Sequence, residues 1–299
     1  MAHELAHVNG KIVPVGEATV PVHDRSFLYG DGAFDTAVAR RGRVFRLDAH
    51  IDRLFRSLAV LRIAPPLAKP DLRGAALDLM RRNGMVDGFL RMVVSRGTCA
   101  YVSLDPRTAT GGPTLVMLTR GADPPGEVGA IHGRTGGARA VTASVRKTPT
   151  ASLESRVKSN NYLNSILARF EAIDAGVDEA ILLDVEGRVT EGSGDNLFAV
   201  VGDRLLTPPA INILEGVTRE AILALAPRAG LHSEVRELTP YDLYTADEVF
   251  LTSTVVGVMP IVELDGRAIG AGAAGPAARR LQVLYEELLV AEGTPIGGE

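Results

Sequence analysis

The sequence predicts an α/β or α+β protein in two domains. Strand-like and helix-like patterns recur in both halves of its 299 residues. Between the halves, "GADPPGEVGAIHGRTGGAR" is rich in Gly and Pro and has no apolar periodicity, which marks a break. A chain of this length accommodates two domains or one large one. The expected division is residues 1–121, a linker at 122–138, and residues 139–299.

The elements follow in order. "NGKIVPVG" predicts a hairpin turn and a short strand. "DTAVARRGRVFRL" predicts two strands joined at Arg41–Gly42. Apolar residues at Ile51, Leu54, Phe55, Leu58 and Leu61 have helical spacing. "PDLRGAALDLMRRNG" predicts a second helix, with Pro70 near its start and Gly84 at its end. "FLRMVVSRG" and "TLVMLTRG" read as strands. After the break come a strand at "RAVTASVRK" and an amphipathic helix at "NYLNSILARFEAIDAG", closed by Gly176. Two strand–turn–strand signals follow, at "EAILLDVEGRVTEGS" and "NLFAVVGDRLLTPP". "GVTREAILALAPRAG" reads as a helix, "EVFLTSTVVGVMPIVELDGRAI" as strands, and "GPAARRLQVLYEELLV" as a closing helix with Pro276 in its first turn.

Composition excludes several functions. The net charge is −4 and the pI about 5.9, with no long basic run, which argues against nucleic acid as a partner. The single cysteine, Cys99, cannot form an internal disulfide and suits a reducing compartment. The first residues lack the basic-then-apolar order of a secretory leader. No apolar stretch reaches the roughly 20 residues that span a bilayer. The expectation is a cytoplasmic protein without a membrane partner.

Two short patterns mislead. "HELAH", residues 3–7, matches the zinc-protease pattern, which needs both histidines on one helical face. Asn9–Gly10 ends any helix there within two turns, so a solvated terminal segment is expected and no metal. "GAGAAG", residues 270–275, matches the dinucleotide pattern. The dinucleotide fold needs a further strand and an acid about 20 residues on, and only 24 residues remain.

"ESRVKSNNYLN", residues 154–164, is more informative. The chain has four lysines, Lys11, Lys69, Lys147 and Lys158, against 28 arginines. Lysine can lose its proton near neutral pH and bond an aldehyde, and arginine can do neither. Lys158 sits among small neutral residues and merits a chemical reading before a surface one, although a lone lysine is ordinarily a surface charge. A lysine serving pyridoxal phosphate needs an acid for the ring nitrogen, a donor for the phenolic oxygen and an anion site for the phosphate. Candidates for each exist in Glu191, Tyr162, the helix start Gly216-Val217-Thr218, the polar turn Ser253-Thr254, and Arg53. Taken singly, each also reads as an ordinary surface, turn or helix-start residue, and spacing alone does not join them.

Five stretches resemble the class IV (fold type IV) aminotransferases: residues 27–54, 156–172, 178–200, 213–222 and 243–270. They cover nearly the whole chain, in order. That family includes branched-chain and D-amino acid aminotransferases, (R)-selective amine aminotransferases and aminodeoxychorismate lyases. The second half looks most like the branched-chain enzymes. The resemblance implies a small α/β domain and a larger one with pyridoxal 5′-phosphate between them, and a homodimer. It implies Lys158 as the catalytic lysine, Glu191 on the ring nitrogen and Tyr162 on the phenolic oxygen. Arg53, Val217, Thr218 and Thr254 would hold the phosphate, with Gly216 and Ser253 beside them.

The substrate side departs from the family. Branched-chain enzymes usually carry Tyr-x-Arg where this chain has Phe89-Leu90-Arg91, and Phe-Glu-Gly where it has Phe34-Asp35-Thr36. The D-amino acid enzymes place an Arg-x-His trap after "RGT", and here "RGT" at 96–98 continues as "CAYVSLDP". The substrate carboxylate would then rest on Arg91 and the turn amides of Thr254 and Val255, with Tyr29 or Tyr101 as a replacement hydroxyl. The expected activity is transamination of hydrophobic, branched-chain-like amino acids with relaxed selection. The alternatives are an (R)-amine or D-amino acid aminotransferase and, further off, the lyase.

Overall fold

The computed structural model describes residues 4–121 and 136–297. Most of the expected linker, 122–135, and His3 of the "HELAH" pattern lie outside the described residues. The chain divides into two compact units, one of Met1–Asp123, Val157–Asn161 and Leu288–Glu299, the other of Pro124–Arg156 and Tyr162–Glu287.

The first unit is built on a seven-stranded antiparallel sheet. Its order is Gly293–Pro295, Arg43–Phe45, Gly32–Arg40, Gly88–Ser95, Thr114–Gly121, Leu5–Val8 and Lys11–Pro14. Asn9–Gly10 and Arg41–Gly42 turn the two hairpins with positive φ at both residues, the twist that suits a two-residue connection. Helices Leu47–Leu61 and Lys69–Arg82 bury Leu47, Ile51, Leu54, Leu58, Leu72 and Leu79 with Ala33, Ala37, Leu90 and Met92 of the sheet. Leu47, Ile51, Leu54 and Leu58 recur at the helical period, so one stripe meets the sheet.

"HELAH" is thereby corrected. Residues 5–8 form a strand, not a solvated segment, and Ala6 and His7 are buried. In a strand, residues four apart stand well over a helical turn from one another, so the face that the zinc pattern needs does not form.

The second unit contains a nine-stranded sheet. Strands Asn196–Val201, Glu248–Ser253, Gly257–Leu264, Ala138–Thr142, Glu179–Leu183 and Val189–Gly192 pair in that sequence. The last pairs back with the first through Asn196 and Glu191. The six therefore close a ring through that one pair. Ala138, Ile181, Val189, Leu197, Leu251, Met259 and Ile261 belong to its core. Arg204–Thr207 and His232–Val235 extend the sheet beside Asn196–Val201.

"GAGAAG" lies in the loop before helix Pro276–Ala291. The carboxylate of Glu248 accepts from the backbone N–H groups of Ala277 and Ala278 at 2.8 and 2.9 Å. The first-turn amides that would cradle a phosphate are thus satisfied by an internal acid.

Val157–Asn161 groups with the first unit because it is hydrogen-bonded to strand Gly32–Arg40. Phe34 N–H donates to the Lys158 carbonyl at 2.9 Å and Asn160 N–H to the Gly32 carbonyl at 3.0 Å. A Cβ on Gly32 would lie 2.6 Å from the Val94 oxygen and 2.7 Å from Asn160 Nδ2. Gly32→Ala is expected to destabilise the protein by about 1–3 kcal/mol, the usual effect of overpacking. A urea unfolding midpoint equal to that of the parent would refute this account of the close approach.

Candidate functional site

In the first unit, the backbone of Lys158 is held on both sides. Besides the bond from Phe34, its own N–H donates to Ser57 Oγ at 3.1 Å. Asn160 Nδ2 donates to Ser26 Oγ at 2.7 Å, and Asn161 Nδ2 to the Gly30 carbonyl at 3.1 Å. The small neutral residues around the lysine are the ones that fasten its segment. The Lys158 ammonium lies 4.7 Å from the centroid of the Phe34 ring, and the Arg91 guanidinium 3.7 Å from the same centroid. Both distances are within cation–π range.

Phe34, Thr36, Phe89 and Arg91 share one face of the sheet. Thr36 is the register partner of Arg91 and Val38 of Phe89, and residues two apart on a strand point the same way. Asp35 points to the opposite face and meets helix Leu47–Leu61. There the Asp35 carboxylate accepts from Arg53 Nε and Nη2, both at 2.8 Å, and lies 2.7 Å from His50 Nδ1. All three side chains are buried. Burial pushes the Asp35 carboxyl up, but Arg53 and His50 outweigh it and hold the group far below the usual carboxylate range. Burial pulls the His50 imidazole down, with Asp35 opposing. Arg53 is therefore a fixed, oriented cation. Tyr29 ends the short helix Arg25–Tyr29, its ring 5.0 Å from the Arg25 guanidinium.

In the second unit, Glu191 is buried at the closing pair of the ring. Its Oε1 accepts from Lys147 Nζ at 2.5 Å, and its Oε2 from Leu214 N–H at 3.0 Å and Asn196 Nδ2 at 3.3 Å. The Lys147 amine is pulled down by burial. The Glu191 carboxylate outweighs that and raises it above the ordinary lysine value, with Tyr162 near enough to add to the effect. Glu191, Tyr162 and Lys147 are thus brought together, and the sequence points only to the first two.

Gly216 is the N-cap of helix Val217–Leu225, and Val217 and Thr218 form its buried first turn. A Cβ at Gly216 would lie 2.0 Å from Asn196 Oδ1. Asn196 therefore ties this helix start to Glu191, a link that spacing could not reveal. Thr218 Oγ1 lies 3.2 Å from the Tyr285 hydroxyl. Ser253 ends strand Glu248–Ser253, and its hydroxyl accepts from Val256 N–H at 3.2 Å across the turn that holds Thr254 and Val255.

A model of the amino-transferase class IV family matches residues 32–264. A Methanocaldococcus jannaschii protein provisionally named a branched-chain-amino-acid aminotransferase is 41% identical over 294 residues, 98% of this chain and 99% of its own. The D-alanine aminotransferase of Bacillus licheniformis is 31% identical, over 95% of this chain and 96% of its own. The crystal structure of the T.th. branched-chain amino acid aminotransferase with pyridoxamine 5′-phosphate superposes with a TM-score of 0.92 at 33% identity, covering 99% of this chain and 100% of that one. The chain belongs to the class IV aminotransferase family, and its fold is fold type IV.

Next to Asn196, Asp195 is buried with Glu179. Burial, and then the Glu179 carboxylate, push the Asp195 carboxyl up to about 7, against a hydrogen bond with Ser253 that lowers it. A carboxyl raised on folding binds its proton more tightly in the native state. Stability therefore falls as pH rises from about 4 to about 7 and changes no further above that. Asp195→Asn is expected to flatten this slope, read from urea midpoints across that window. An unchanged slope would assign the pH dependence to another group.

Proposed function

We propose that the protein is a pyridoxal-phosphate-dependent aminotransferase moving an amino group between a hydrophobic, branched-chain-like amino acid and a 2-keto acid, with relaxed choice of donor. The observation that carries this reading is the near-whole-chain match to branched-chain aminotransferases. The donor set suits the cofactor: an amine for an aldehyde, a buried carboxylate for a ring nitrogen, a phenol, and a helix start with a hydroxyl for a phosphate.

When bound, pyridoxal phosphate supplies an electron sink and carries the amino group between the two half-reactions. Lys158 would hold the cofactor by its aldehyde carbon, and its amine would move the proton at the donor Cα. Glu191 would keep a proton on the ring nitrogen, and Tyr162 would donate to the phenolic oxygen. Arg53, oriented by Asp35, would be a phosphate ligand from the first unit; the helix start Gly216, Val217 and Thr218 and the turn Ser253 and Thr254 would be the ligands from the second. Phe34, Thr36 and Phe89 shape the donor side with Tyr29. Arg91 would be the carboxylate partner from the first unit, and the amides of Thr254 and Val255 those from the second.

The relationship to a D-alanine aminotransferase supports keeping D-amino acid or (R)-amine transamination as a second reading. With 2-oxoglutarate and pyruvate as acceptors, L-leucine is expected to be the better donor. D-alanine and (R)-1-phenylethylamine should turn over more slowly. Lys158→Ala should abolish all turnover, and borohydride should fix the cofactor to Lys158 in the parent. Activity with D-alanine and none with L-leucine would select the second reading.

We further propose a homodimer in the cytoplasm. Helix Leu163–Asp174 buries only Ala168 and Ala172, while Leu163, Ile166, Leu167, Phe170 and Ile173 are exposed. Such a stripe, at helical spacing, suits a partner surface. Phe170→Glu is expected to shift the sedimentation coefficient toward that of the monomer. An unchanged value would place the dimer contact elsewhere.

A further inference from the structure

The second unit holds a lysine, Lys147, in surroundings unlike those of Lys158. Lys147 is tied at its backbone, its N–H donating to the Leu183 carbonyl at 2.8 Å, and its side chain is largely buried. Its ammonium lies 2.5 Å from Glu191 Oε1, with the Glu191 side chain only 9% exposed. The other carboxylate oxygen receives Leu214 N–H and Asn196 Nδ2, which are neutral donors. A buried carboxylate stays ionised when a cation and hydrogen bonds replace its water. Neutral donors fix its direction, and the ammonium supplies the compensating charge.

We propose that Lys147 is a positioning residue of the transamination reaction, holding Glu191 ionised and in one orientation toward the cofactor's ring nitrogen. The proposal rests on the aminotransferase reading above. Its physical content is a proton location. A proton shared between the Glu191 carboxyl and a ring nitrogen sits on nitrogen when the carboxylate is stabilised, and moves to oxygen when that stabilisation is lost. Lys147 biases it toward nitrogen, and electron withdrawal depends on nitrogen carrying it. Because its own amine is held protonated by Glu191, Lys147 is unsuited to attack an aldehyde, which leaves that chemistry to Lys158.

The test uses the pyridoxal-phosphate-loaded enzyme and four variants: Lys147→Met, Lys147→Gln, Lys147→Arg and Glu191→Gln, with Lys147→Met/Glu191→Gln completing a cycle. Lys147→Met is expected to lower kcat for L-leucine about 10- to 100-fold, the range of one lost charged hydrogen bond, with KM nearly unchanged. The acidic limb of its kcat–pH profile should move to higher pH, because the neutral carboxyl is favoured once the cation is gone. Lys147→Arg should restore most of the rate. Lys147→Gln, similar in length and still a donor, should behave as Lys147→Met, and it serves if the methionine variant does not fold. In the Glu191→Gln background, Lys147→Met should cost no further kcat. In the cofactor-free proteins, the double variant should unfold at higher urea than Lys147→Met alone, since the uncompensated carboxylate is then absent.

A parental kcat and pH profile in folded Lys147→Met or Lys147→Gln overturns the role, as does a rate loss that persists in the Glu191→Gln background. Wild-type protein that takes up no pyridoxal phosphate overturns the aminotransferase reading and this role with it. Loaded wild-type enzyme that turns over, beside unaffected Lys147 variants, overturns the role alone.

Discussion

Strand Gly32–Arg40 can accept segment 157–161 against its first residues because Gly32 has no side chain. The backbone bonds at Gly32 and Phe34 place Lys158 by main chain rather than by its own flexible stem. The contact of its ammonium with the Phe34 ring, itself in contact with Arg91, follows from that placement. The same strand turns Asp35 to its other face, where it orients Arg53. One strand thus serves two chemistries, an apolar–cationic surface on one face and a buried ion pair on the other, because successive residues alternate.

The charges buried near these sites are compensated one by one. Asp35 has Arg53 and His50, Glu191 has Lys147, and Glu179 has Arg169. Breaking such a pair by removing one member is far more costly than a surface ion pair is worth, since the remaining charge is left without water. Asp195 is the exception in kind: beside Glu179 it is stabilised as a neutral acid, and it takes up its proton on folding. In the second unit, burial at the closed ring of strands makes the Glu191 and Glu179 pairings matter.

Local pattern identified most of the longer helices and strands, though not strand Leu5–Val8 or the short helices Arg25–Tyr29 and Pro240–Tyr244. Leu47–Leu61 follows the apolar spacing, Lys69–Arg82 follows its Pro70 start and Gly84 stop, and the hairpins at Asn9–Gly10 and Arg41–Gly42 follow from Asn9, Gly10 and Gly42, which tolerate positive φ. These are local properties, decided within a few residues. The same locality misread "HELAH". Its helix-like spacing is overridden by strand pairing with Lys11–Pro14 and Thr114–Gly121, partners the spacing does not contain. The apolar stripe of Leu163–Asp174 was legible as amphipathic, yet its being exposed rather than buried was not.

Candidate site residues were legible because their types are chemically unusual where they stand: a lysine in an arginine-rich chain, an acid beside glycines, a hydroxyl at a helix start. Motif resemblance joined them. What each one touches came only from the tertiary structure. Lys147 meets Glu191 across 44 residues, Arg53 meets Asp35 across 18, and Asn196 reaches Leu214 and packs on Gly216. Such contacts depend on sheet register and ring closure, which are set by the burial of many distant side chains together. By itself, the sequence determined most of the elements, the family and the reactive residue types. Only the folded chain decided which charge stands against which, because that energy arises between groups that are neighbours in space and strangers in sequence.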